Sequence, residues 1–228
     1  MNFIKTINRI ISVNWLLTLY ANIYYFGIYR AFCFPILIGY GTKIESWGER
    51  GCIDIQTKFG QLCFGLKGGP FKMGGPDNFL YIGKRAKIKI DGTCRFAKGI
   101  RLKVFDEAIL QIGDGFTSNA DLIISCMKSI SIGNDCLIGW NVSILDNDGG
   151  HCIVNCVTND ITNSSRPVFI GKHVWLSSNT SILKGVTIPN NCVVGYGSNL
   201  IGKNSFNEGS IIAGNPPKEV KTGCTWQH

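Results

Sequence analysis

From Ile82 onward, steps of six residues land almost without exception on an apolar side chain, and few folds can use that spacing. The positions are Ile82, Ile88, Cys94, Ile100, Asp106, Ile112, Ser118 and Ile124, then, after a slip of two, Ile132, Ile138 and Ile144. After an insertion the register returns at Ile170, Leu176, Ile182, Ile188, Val194, Leu200 and Phe206. Only Asp106 and Ser118 are polar, whereas a chain that is 45% hydrophobic would place polar residues at about half of such positions by chance. A helix cannot use the pattern, because six is not a multiple of 3.6. The frequent glycines (28 in the chain) would also cost roughly 1 kcal/mol each inside one. Six does suit a short strand plus a corner, with alternate side chains inward and glycine easing the bend. With 7 prolines and no G-X-Y period, the glycines signal many turns rather than collagen.

Four residues after each apolar position stands mostly a small or aliphatic residue, such as Ala86, Gly92, Val104, Leu110, Cys136, Val142, Val174, Val186 and Cys192. Glycine often follows the apolar residue directly, as in IGK, IGD, IGN, IGW and VGY. The repeated [I/L/V]-G-x-x-[small]-x unit resembles the hexapeptide-repeat acyltransferases. That resemblance implies an all-β solenoid, a left-handed parallel β-helix with three units per triangular coil. Eighteen units imply about six coils and, at ~4.8 Å per coil, a prism of roughly 30 Å. The segment GKHVWLSSNTSIL (171–183) is similar to the family's G-x-x-V-W-[I/L]-[G/S] stretch, and IIAGNPPKEV (211–220) to its closing AGNPAK segment. Within the family the chain looks most like O-acetyltransferases of surface-polysaccharide biosynthesis, with maltose, galactoside and serine acetyltransferases as wider relatives. The expected activity is therefore acetyl transfer from acetyl-CoA to a sugar hydroxyl of an O-antigen, capsule or exopolysaccharide precursor. The resemblance also implies a homotrimer with each site between adjacent prisms, and no metal.

The period breaks between Ile144 and Ile170, and a break in a solenoid lets a loop reach outward. That loop, LDNDGGHCIVNCVTNDITNSSRPVF, carries His151, one of three histidines. Transfer from a thioester to a hydroxyl needs a base that works near neutral pH, which suits an imidazole. The run D-x-D-x-x-H is also similar to the position of the family's catalytic histidine, so His151 is the expected base. Asp146 and Asp148 are close enough in sequence to contact substrate or orient the imidazole. Asn119 in FTSNADL resembles the asparagine with which galactoside-type members hold the acceptor. IGWNV is similar to the family's G-P-N-V turn, with Trp140 in place of proline and Asn141 at a corner that tolerates left-handed backbone. The resemblance places the pantetheine along the outside of the prism near Trp175, Ser177 and Ser198. Lys203, Lys218 and Lys221 could meet the nucleotide phosphates. Arg166 is expected either to contact a ligand or to anchor the loop. His173 is expected to be structural, Cys136 and Cys192 to fill the small-residue column, and Cys152 not to be a nucleophile.

Alternatives remain open at this level. A zinc carbonic anhydrase of the same fold would need three histidines, here His151, His173 and the terminal His228. A non-catalytic scaffold would keep the repeats without explaining the DNDGGH loop. An N-acyltransferase of an amino sugar usually carries a nucleotide-binding domain that is not evident here. Net charge is +8, but the basic residues are scattered and no nucleic-acid motif is visible, so no nucleic acid partner is expected. Ten dispersed cysteines without a CxxC pair point to a reduced, cytoplasmic protein.

The sequence divides into an amino-terminal helical segment (1–35), an irregular or first-coil region with a Gly-rich loop (36–81), the β-helix (82–212) with its insertion (145–169), and a tail (213–228). Residues 10–29, IISVNWLLTLYANIYYFGIY, are uncharged and of membrane-span length, but Asn14, Thr18 and Asn22 form a polar stripe. Such a helix either packs on its own domain or attaches peripherally to the inner face of the cytoplasmic membrane. No A-x-A site follows it, and a cleaved signal peptide is not expected.

Overall fold

The structure, a computed structural model, describes residues 10–67 and 77–227. After helix α1 (Trp15–Ala31), the first coil is β1 (Ile36–Ile38), β2 (Thr42–Trp47) and β3 (Ile53–Ile55), and the second is β4 (Leu62–Leu66), β5 (Asn78–Ile82) and β6 (Lys87–Ile90). Then come β7 (Cys94–Ala97), β8 (Arg101–Val104) and β9 (Ile109–Ile112), followed by β10 (Phe116–Ser118), β11 (Ile123–Cys126) and β12 (Ser129–Ile132). The fifth coil is β13 (Leu137–Ile138), β14 (Ser143–Leu145) and β15 (Val168–Ile170), and the sixth β16 (Trp175–Leu176), β17 (Ser181–Ile182) and β18 (Thr187–Ile188). A partial turn of β19 (Val193–Val194) and β20 (Asn199–Leu200) follows, β21 (Ile211–Ala213) then returns to the first sheet beside β19, and β22 (Lys218–Lys221) folds back antiparallel on β21.

Each coil gives one strand to each of three parallel sheets, so the molecule is a left-handed parallel β-helix with three faces. The first face begins at β1 and ends with β21 and β22, the second runs from β2 to β20, and the third from β3 to β18. Strands stack in register, and this turns the six-residue step into vertical columns. Ile124, Ile144, Ile182 and Leu200 are successive partners on the second face, and Ile53, Ile88, Leu110, Ile130 and Val168 on the third. Ile124, Ile144, Ile182 and Leu200 are fully buried, and each such side chain contributes about 1.5–3 kcal/mol. Asp106 falls out of the column: it is exposed and accepts the Lys84 backbone N–H at 2.9 Å.

The corners work differently from the sequence expectation. The glycine after the apolar residue is needed for close approach rather than for the bend: a Cβ on Gly133 would lie 2.7 Å from the backbone of Gly171 in the next coil. The bend itself falls two residues later, where Asp135, Asn141 and His173 take positive φ.

The solenoid also starts earlier than the sequence boundary at residue 82. Residues 36–66 already form regular strands, because β1 and β4 pair in register from Ile36↔Leu62 to Ile38↔Phe64. Register shifts at Ile44/Ser46 and Phe64/Leu66 break the six-residue step there and hide those coils from a periodicity search. Most of the Gly-rich run between them lies outside the described residues. At the other end the tail is fastened to the prism. The His173 ring stacks on Trp226 at 4.3 Å, and Trp226 Nε1 donates to the His173 carbonyl at 2.8 Å, which gives His173 a structural place. Cys136 and Cys192 are buried in the small-residue column, and burial pushes the Cys136 thiol up to about 11.

Candidate active site

The insertion leaves and re-enters the prism at one residue. Asp146, directly after β14, is fully buried, and its carboxylate accepts the backbone N–H groups of Met127, Lys128 and Ser129, each at 2.7 Å. Its carbonyl accepts the Arg166 N–H at 3.0 Å, so both ends of the loop are tied to the same corner. The expectation that Asp146 meets substrate or imidazole is corrected accordingly: a carboxylate saturated by three amides builds the corner instead. Beneath it, burial and then the Asp146 charge push the Cys126 thiol well above its ordinary range. Asn147 continues the corner by donating to the Ser125 carbonyl at 3.0 Å and hydroxyl at 3.1 Å.

Beyond this corner the loop is a short arm. Val154 and Ile161 pair antiparallel, and the Asn155 side chain caps the tip by accepting from Val157 and Thr158. The arm's base is clamped by two residues that sequence reasoning missed. Asn163 donates to the His151 carbonyl at 2.7 Å and to Asp148 at 3.1 Å, and accepts the Ile153 N–H at 2.7 Å. Lys184, from the next coil, donates to the Asp148 carboxylate and to the Asn163 carbonyl at 2.8 Å. His151 is exposed with its backbone held, whereas Asp148 pairs with Lys184 and not with the imidazole. This corrects the expected orienting role of Asp148. Asn163 and Lys184 carry no local sequence signal, since their partners lie 10 to 36 residues away.

The Lys184 hydrogen bond holds the Asp148 carboxyl below the usual carboxylate range. Because the folded value is depressed, the clamp's contribution is complete above the unfolded value near ~3.9 and is lost as pH falls through the folded one. Limited proteolysis should therefore find the arm equally protected at neutral and mildly acidic pH and loosened only in stronger acid. Lys184→Ala should loosen it at neutral pH. Equal cleavage of variant and wild type would remove the clamp.

The remaining expected site residues fall on different edges of the prism. His151, Asp148, Arg166, Lys184 and Lys203 share the edge between the second and third faces. Asn119, Trp140 and Ser177 lie on the edge between the first and second. Arg166 is exposed and its guanidinium rests on Gly185, so it packs against the anchor of the arm. Asn119 follows β10 and donates its N–H to the Ile138 carbonyl at 2.8 Å. The Trp140 N–H donates to Ser178 Oγ at 3.0 Å, and Asn141 donates to Asn179 at 2.7 Å. Trp175 is partly exposed on the first face, and Lys203 and Lys218 are exposed. Ser198 is fully buried, as a residue of the small-residue column, its hydroxyl donating to the Gly195 carbonyl at 2.7 Å and accepting the Gly214 N–H at 3.0 Å. It holds the end of the coil and offers no side chain to a ligand. Among the described residues there is no group of three His, Cys, Asp or Glu placed to hold a metal ion, and His228 lies outside them.

On the second face, Lys43, Asp77, Phe79, Arg101, Lys103 and Ser125 line an open groove of about 580 Å³, and Lys43 pairs with Asp77 at 3.5 Å. Lys103 Nζ lies 4.9 Å from the Tyr81 ring and 4.8 Å from Phe105. The groove runs into the arm's corner through the Ser125–Asn147 hydrogen bonds.

No protein-family model matches the chain. Over 147 residues it is 32% identical to a putative lipopolysaccharide biosynthesis O-acetyl transferase of Escherichia coli, covering 59% of this chain and 74% of that protein. A polysialic acid O-acetyltransferase of Neisseria meningitidis is 35% identical over 49% of this chain and 58% of its own length. The galactoside O-acetyltransferase of Escherichia coli is 35% identical over 39% of this chain and 43% of its own length. Among solved structures, the polySia-specific acetyltransferase NeuO superposes with a TM-score of 0.52 at 22% identity, covering 85% of this chain and 84% of that one, a likeness of fold.

Proposed function

Because the chain belongs to the hexapeptide-repeat acyltransferases, among the O-acetyltransferases of polysaccharide biosynthesis, we propose that it transfers an acetyl group from acetyl-CoA to a hydroxyl of a surface-polysaccharide precursor. The observation that carries this reading is the clamped arm, which holds the exposed His151 by its backbone and leaves the prism at a corner that Asn147 ties to Ser125, a residue of the groove wall. In this mechanism a ring nitrogen of His151 removes the hydroxyl proton as the oxygen attacks the thioester carbonyl. A backbone N–H stabilises the oxyanion. The C–S bond then breaks, and the imidazolium returns its proton to the departing sulfur of coenzyme A. Holding both reactants on one surface supplies much of the rate.

Asn119, Trp140 and Ser177 stand on the other edge of the prism and would serve a neighbouring protomer's His151 in a trimer. Lys203 and Lys218 would meet the phosphates of coenzyme A, with Trp175 beside the pantetheine and Arg166 steadying the arm. With Lys43 paired to Asp77, Arg101 and Lys103 leave the groove a positive excess that suits an acceptor carrying negative charge. The test is incubation with acetyl-CoA and saccharides of matched length, followed by thiol release and acceptor mass. Acetylated product, formed faster on acidic than on neutral saccharides, is expected. Coenzyme A binding without transfer to any saccharide hydroxyl would overturn the reading.

A further inference from the structure

Helix α1 is turned inside out relative to an ordinary surface helix. Its polar stripe faces the protein: Thr18 and Asn22 are fully buried. Asn22 donates to the Ile36 carbonyl at 2.8 Å and accepts the Ile36 N–H at 3.1 Å, and Thr18 Oγ1 accepts the Ile38 N–H at 3.0 Å. These side chains satisfy the free edge of β1, which would otherwise be a row of unpaired backbone groups. Asn14 caps the helix by accepting the Leu17 N–H at 3.2 Å. With its polar residues used inward, the helix shows solvent an apolar and aromatic face. Leu16 is 85% exposed, Tyr20 56% and Ile23 40%, and beyond the break at Gly27, Tyr29 is 94% and Phe32 67% exposed. A patch of this kind on a folded surface marks an interaction site.

Charge identifies the occupant. No Asp or Glu precedes Glu45, whereas Lys5, Arg9, Arg30 and Lys43 all do. Among the described residues, Arg30 adjoins Tyr29 in the helix's last turn and the Arg50 guanidinium lies 5.8 Å from the Tyr24 ring, so cations fringe the patch. No helix among the described residues is long and apolar enough to cross a membrane. Tyrosine and tryptophan, each with an apolar body and a polar tip, are the side chains enriched where lipid meets water. We propose that the outer face of α1 seats in the headgroup and upper acyl layer of a membrane rich in anionic lipid, lying on the bilayer rather than spanning it. Burial of Leu16 and the Tyr29 ring supplies most of the apolar part of the attachment, and Arg30 and Arg50 supply attraction to lipid phosphates.

The experiment is flotation of the full chain with vesicles of phosphatidylcholine containing one quarter phosphatidylglycerol, compared with phosphatidylcholine alone. The wild type is expected to float with the anionic vesicles and much less with the neutral ones. The variant L16S/Y29S is expected to lose on the order of tenfold in partitioning while keeping its thermal melt, since Leu16 is 85% and Tyr29 94% exposed. No flotation with anionic vesicles at low salt would overturn the proposal, as would equal flotation with neutral ones or an unchanged variant. Sedimentation showing an assembly of the wild type that L16S/Y29S abolishes would likewise overturn it, because the face would then belong to a second copy of the chain.

Discussion

His151→Ala should lower acetyl transfer by about 10²–10⁴-fold while leaving the melting curve almost unchanged. The two halves of that expectation rest on different observations. The ring is exposed and the arm's hold on this residue runs through its backbone carbonyl, which alanine keeps, so Asn163 still has its acceptor. Surface substitutions of this kind usually stay within about 0.5 kcal/mol. The loss should therefore appear in kcat, with the KM for acetyl-CoA little changed. Steady-state thiol release from purified variant and wild type measures both constants. Near-normal turnover would strip His151 of its role and leave the fold untouched.

Asp146→Ala should do the reverse, costing stability first and activity as a result. Removing the carboxylate leaves three amides at Met127, Lys128 and Ser129 without their acceptor, and each donor left unsatisfied costs about 1–3 kcal/mol. A loss of several kcal/mol is expected, read as a shift of the urea midpoint. Asp146→Asn keeps one acceptor oxygen and should fall between. Transfer should drop in both variants because the arm that carries His151 departs from this corner. A melting temperature of Asp146→Ala within a degree or two of wild type would show that the corner is held by something else.

The contrast between these residues shows what could be read from sequence. Ile124, Ile144, Ile182 and Leu200 were legible as a column because burial on a strand depends on spacing alone, and in-register stacking keeps that spacing from coil to coil. The insertion was legible as an interruption of the same count. Asp146 and Asp148 were not separable, since two carboxylates in one polar run look alike until one is buried under three amides and the other meets Lys184 from the following coil. The stripe of Asn14, Thr18 and Asn22 was visible, but which way it faced depended on the unpaired edge of β1, a partner fourteen or more residues away.

The longest sheet is sealed at both extremities, by α1 against β1 and by the reversed strand β22 against β21. A parallel stack with bare ends would accept further copies of itself and grow into a filament. Here the incoming strand would meet a helix at one end. At the other it would meet a chain of opposite direction bearing Lys218, Glu219 and Lys221. The protein can thus keep a repetitive, strand-rich architecture in concentrated solution without seeding fibrils along that face.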